Sequence, residues 1–175
     1  MDKSKMAHSL IGVTWALLSS GTWACGGEAR PPTLTNQDVT NLPPGDATVT
    51  TFSGTYVVQS ASIVACYCRT GSCSTFQAQT GGMVTYVQQA GQLSQVDTNG
   101  ATVATGGVDQ DGKFWLGGTS QVLGGTSYDR VDGMFVLAGG SPSSANITTD
   151  STATAGAPLG FDCDVSAAAV LRFQN

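Results

Sequence analysis

The only histidine of this chain is His8, and no other follows it. His8 falls in the first 24 residues, which read as an export signal, so the mature protein is expected to have none, which removes Ser-His-Asp and Cys-His catalysis and every histidine-bound metal site. Lysine is nearly missing too. Lys3 and Lys5 lie at the extreme N-terminus, which leaves Lys113 just after an Asp-Gly pair, where a solvated turn lysine is expected. Glu28 is the only glutamate, so carboxylate-pair chemistry would have to use aspartates such as Asp109, Asp111, Asp129 and Asp132. Charged residues make up 11% of the chain, with a formal net charge of −5 and no basic cluster. Nucleic acid is therefore excluded as an expected partner. No apolar run approaches the ~20 residues of a membrane-spanning helix. No glycine-rich stretch has the spacing of a phosphate-binding loop opening a helix, and no cofactor is expected.

What is present is a rhythm. Hydrophobic residues are 41% of the chain, enough for a core, and there are 23 glycines. Between Met83 and Leu137, short runs rich in Val, Thr, Tyr, Phe and Leu alternate with Gly91, Asn99-Gly100, Asp111-Gly112, Gly124-Gly125 and Asp132-Gly133. Breaks every 8–12 residues mark successive antiparallel strands joined by tight turns, and Asn-Gly and Asp-Gly suit turns that need positive φ. Strands are expected near 52–65, 83–89, 92–97, 101–108, 113–117, 126–131, 134–139, 146–154 and 165–173. The last alternates cleanly, with Val165, Ala167, Ala169, Leu171 and Phe173 on one face.

The first 24 residues read as an export signal: Lys3 and Lys5, then the apolar run Leu10–Leu18, then small residues ending at Ala24. With Cys25 following Ala24, the junction resembles that of bacterial lipoproteins. The resemblance implies diacylation of Cys25, which would become the new N-terminus and anchor the protein to a membrane, and Gly26 implies sorting to the outer membrane. Ordinary cleavage after Ala24 is the alternative. Residues 25–52 carry Gly26, Gly27, Pro31, Pro32, Pro43, Pro44 and Gly45 without apolar periodicity, and read as a flexible tether.

Residues 53–175 read as one all-β domain. Tight turns favour an up-and-down meander closing into a small barrel, and a β-sandwich is the alternative. The Gly54-Thr55-Tyr56 opening, the hairpin series and a last strand able to pair with the first resemble small lipocalin-like and avidin-like barrels. No ligand carries over from those families.

The domain holds Cys66, Cys68, Cys73 and Cys163. A metal site is one reading; two structural disulfides, suited to an oxidising compartment, are the favoured one. Three pairings are open. Cys66 and Cys68, two apart on a strand, project from one face and are poorly placed to bond each other. The expected pairs are Cys68–Cys73 and Cys66–Cys163. Asp109-Gln110-Asp111-Gly112 lacks the further oxygen ligands of a calcium loop and reads as a hairpin turn. Tyr56, Tyr86, Trp115 and Tyr128 would line a barrel cavity for a small apolar ligand or else form core. The expected function is a lipid-anchored, non-catalytic binding or structural module of the cell envelope. The alternative is an Asp-dependent hydrolase of envelope glycans, resting on Asp109, Asp111, Asp129 or Asp132.

Overall fold

The computed structural model describes residues 13–15, 30–48, 51–122, 124–156 and 160–174. Eight antiparallel strands form a closed ring in the order β10-β2-β4-β5-β6-β7-β8-β9. They are β2 (Gly54–Thr70), β4 (Met83–Gln89), β5 (Gln92–Val96), β6 (Thr102–Val108), β7 (Lys113–Val122), β8 (Gly125–Ala138), β9 (Ser141–Ala155) and β10 (Phe161–Phe173). Each strand pairs with the next in sequence, and β10 closes the ring on β2. This is the expected all-β meander. Closure satisfies both edges of the sheet, which an open meander would leave exposed.

Two turns read from the sequence differ. Asp132-Gly133 is no turn: β8 runs straight through it. Glycine is needed there because a Cβ on Gly133 would meet the Phe114 ring across the sheet. The break between the strands expected at 134–139 and 146–154 shrinks to the pair Gly139-Gly140, both at positive φ, before β9 begins.

The wall is uneven. β4, β5 and β6 span five to seven residues, whereas β2, β8, β9 and β10 span 13 to 17. The barrel therefore has a low front and a tall back. Beyond the tip of β2, a 3-10 turn (Cys73–Thr75) and the short β3 (Phe76–Ala78) lead back to β4. β3 pairs with β1 (Val13–Trp15), a fragment of the apolar run assigned to the export signal. The rest of that signal, and Cys25 itself, lie outside the described residues.

Residues 30–48, expected to be a flexible tether, instead form a strap along the outside of the barrel. Leu34 N donates to Thr152 Oγ1 on β9 (2.7 Å). The single-turn helix α1 (Asn36–Val39) lies over β7 and β8, with Val39 2% exposed. Farther on, Trp115 Nε1 donates to Pro43 O (2.8 Å), Gly45 N to Gly91 O (2.8 Å) and Ala47 N to Val108 O (3.1 Å). The backbone comes this close because the wall beneath it is glycine: a Cβ on Gly117 would meet the Val39 backbone, and one on Gly107 would meet Pro43 and Gly45. Composition hid this, since a Pro- and Gly-rich segment looks mobile when its partners are backbone groups far away in sequence.

Candidate functional site: the barrel interior

Alternation along each strand decides which side chains enter the barrel. At the lower end these are Tyr56, Tyr86, Phe114 and Phe135, joined by Phe52 from just before β2. Phe52 stacks on Phe135 at 4.7 Å and Phe114 on Phe135 at 4.4 Å, while Tyr56 and Tyr86 meet edge-on at 5.5 Å. All five are at most 2% exposed. This end is filled by its own side chains, as a small barrel can be.

The four aromatic candidates separate accordingly. Tyr56 and Tyr86 face inward, but Tyr56 is packed core, its hydroxyl donating to Phe52 O (3.3 Å). Burial pushes both phenols well above their ordinary pKa, so both stay protonated. Trp115 faces outward and holds the strap through Pro43. Tyr128 is also on the outer face, across from Thr152. The set does not converge on one cavity: the parity of β7 and β8 sends Trp115 and Tyr128 the other way.

Higher up, the interior changes character. On the tall wall β8 contributes Ser127 and Asp129, and β9 contributes Thr149 and Ser151. The facing stretch of β10 and β2 carries Ala167, Ala169, Ala61 and Ile63. Asp129 is 6% exposed. Its Oδ1 accepts hydrogen bonds from Ser127 Oγ (3.1 Å) and Ser151 Oγ (2.6 Å). Its Oδ2 is buried without a partner, as are Gln95 Oε1 and the Tyr86 hydroxyl lower in the barrel. Burial pushes the Asp129 carboxyl up to about 6, against the opposing pull of the two serine hydroxyls. The five described basic side chains, Arg30, Arg69, Lys113, Arg130 and Arg172, all lie outside the barrel or on the strap. Once ionised, Asp129 is therefore a buried charge without a counter-ion, a costly arrangement that a ligand or a proton relieves.

The other aspartates have structural roles. Asp109 Oδ1 accepts from Asp46 N (3.2 Å) and Asp111 Oδ1 from Lys113 N (3.1 Å), both at a hairpin, while Asp132 pairs with Arg130 (2.9 Å). Of the four candidates, Asp129 alone stands in the interior. Sequence reasoning named it but missed Ser127, Thr149 and Ser151. Their signal was in the pattern: they share parity with Val131, Phe135 and Ile147, so they are polar residues on the core side of an alternating strand.

The cysteine pairing is a correction. The disulfides are Cys66–Cys73 and Cys68–Cys163, not Cys68–Cys73 and Cys66–Cys163. Cys66 and Cys68 do share the inner face and do not bond each other. Register decides the rest: on β10, Cys163 is the direct cross-strand partner of Cys68, while Cys66 faces Val165. The 3-10 turn then brings Cys73 over Cys66. The bridges lie above the polar stretch, beside a second apolar cluster of Phe76, Ala153, Ala155, Phe161 and Val165.

No protein-family model and no curated protein sequence matches the chain.

Proposed function

We propose that this chain is an exported, lipid-anchored barrel of the bacterial envelope that acts as a non-catalytic binding module. The observation that carries the binding half is Asp129, a buried carboxylate with one oxygen unpaired inside a closed ring. Its surroundings, two serine hydroxyls and a wall of Ala61, Ile63, Ala167 and Ala169, suit a small molecule with an apolar body and a hydrogen-bond-donating or cationic head. This moves the ligand from the aromatic end, which is full, to the polar stretch around Asp129. The anchoring half rests on the signal-like leader and Cys25, and two disulfides suit the oxidising side of a membrane. Four residues separate Cys25 from Arg30, where the strap is already bound to the barrel. At ~3.6 Å per residue that leash spans at most ~18 Å, so an acylated Cys25 holds the barrel close to the bilayer rather than on a long spacer.

The test is native mass spectrometry of the protein gently extracted from its envelope, beside the Asp129→Asn variant. A small molecule retained by the parent and lost from the variant supports the reading. An empty parent barrel, with Cys25 unlabelled by radioactive palmitate, ends it.

One observation favours the hydrolase alternative: the same buried, proton-holding Asp129 has the protonation behaviour of a general acid. It lacks a second interior carboxylate among the described residues. Glycan hydrolysis abolished by Asp129→Asn, with the fold intact, decides for that reading.

A further inference from the structure

Three of the four sulfurs form one cluster, and the fourth is bonded to it. The Cys66, Cys68 and Cys73 Sγ atoms lie within 4.8 Å of one another, and Cys163 is bonded to Cys68. Cys68 Sγ and Cys73 Sγ, which belong to different bridges, stand 3.7 Å apart. In a tetrahedral zinc–thiolate site the metal–sulfur bond of ~2.3 Å sets a sulfur–sulfur edge of ~3.8 Å. The unbonded pair is therefore already at that edge length. To complete the tetrahedron each bridged pair parts from bonded contact to the same separation, and Cys163 Sγ, bonded to Cys68 and outside the group of three, moves toward Cys66 and Cys73.

The donors sit on well-supported elements. Cys66 and Cys68 are on β2, Cys163 is its partner on β10, and Cys73 is on the 3-10 turn against them. Cys163 is fully buried, while the Cys66–Cys73 bridge is partly open to solvent. A reductant thus reaches the cluster from the Cys66–Cys73 side.

We propose that this cluster is a redox-gated site for a soft divalent metal ion: two disulfides when oxidised, a four-thiolate zinc-type site when reduced. An external dithiol or phosphine supplies two electrons per bridge, and each bridge takes up two protons to give two thiols. The metal then displaces one proton from each of the four thiols, so one ion bound releases four protons. The gating is chemical, because a sulfur held in a disulfide is not a thiolate. The inference is independent of the ligand at Asp129 and of acylation at Cys25.

The experiment is an anaerobic titration of the phosphine-reduced full chain with Co²⁺ as probe. Expected are saturation at one ion per chain, the visible bands of tetrahedral cobalt, a near-ultraviolet sulfur-to-metal transition, and displacement by Zn²⁺. The oxidised chain takes up none. Cys73→Ser weakens binding at least tenfold and shifts the spectrum. One equivalent of Zn²⁺ protects all four thiols from alkylation. If reduction loosens the sheet, metal addition restores its circular dichroism. The double variant Cys66→Ser/Cys73→Ser keeps the Cys68–Cys163 bridge and provides a folded control, and after reduction it should bind weakly. Absence of tetrahedral cobalt in the reduced parent, or equal affinity in the double variant, overturns the proposal.

Discussion

Arg69 and Asp164 meet across the outer face of the barrel, with Nη1 2.7 Å from Oδ2. The Asp164 side chain has no exposed surface, and its carboxylate also accepts from Thr33 Oγ1 (2.8 Å) and Thr152 Oγ1 (2.9 Å). Arg69 spans this group and Asp162 (2.6 Å). One buried carboxylate thus ties β10 to β2, β9 and the strap.

Removing Arg69 leaves that charge only the longer contact with Arg30 (3.4 Å). Arg69→Ala is expected to destabilise the fold by on the order of 2–3 kcal/mol, discounted for the third of its side chain that remains in water. Asp164→Asn should cost less, because it removes the buried charge itself and leaves Arg69 paired with Asp162. Urea denaturation of the two variants measures the difference, and limited proteolysis within residues 30–48 should accelerate in Arg69→Ala.

The two buried aspartates oppose each other in pH. Burial alone would raise the Asp164 pKa, but Arg69, Thr33 and Thr152 lower it below 3.8. Its contribution is present above that value and is lost as pH falls below it. Asp129 behaves the other way. Between about 4 and 6 the folded chain keeps a proton that the unfolded chain has lost, so stability falls as pH rises through that window, by roughly 2–3 kcal/mol. Stability should peak near the bottom of that window. A urea series from pH 3 to 8 should show the decline in the parent and its absence in Asp129→Asn.

Disulfide removal should be asymmetric. Cys68–Cys163 joins residues 95 apart and Cys66–Cys73 residues seven apart. In the chain-entropy model the long bridge stabilises by ~4–5 kcal/mol and the short one by ~2–3 kcal/mol. Cys163→Ser should lower the melting temperature more than Cys73→Ser. Peptide mapping without reduction checks the pairing directly.

The strap depends on a missing side chain. Gly117→Val places a side chain against the Val39 backbone, and should lift α1 off the wall while leaving the barrel closed. Trp115→Phe should cost ~1 kcal/mol through its bond to Pro43. Hydrogen exchange at Gly45 and Ala47, whose amides bond the barrel, should rise in both.

The strand rhythm was legible because alternation and turn residues are local. The turns at Ala90-Gly91, Asn99-Gly100 and Asp111-Gly112 need positive φ, and all three have it. Gly133, Gly117 and Gly107 were misleading or silent for the opposite reason. Their glycines serve close approach by Phe114 and by the strap, groups 19 to 78 residues away in sequence. Of the candidate site, Asp129 was visible as a residue type, but its isolation was not, since burial belongs to the assembled barrel.

The sequence by itself determined the class of fold. Period-two patterning acts within each strand and needs no distant contact. Only the tertiary structure decided which sulfur meets which, where residues 30–48 lie, and which half of the barrel is filled. Those depend on cross-strand register and on contacts between distant segments, where a shift of one residue turns a side chain from the interior to the surface.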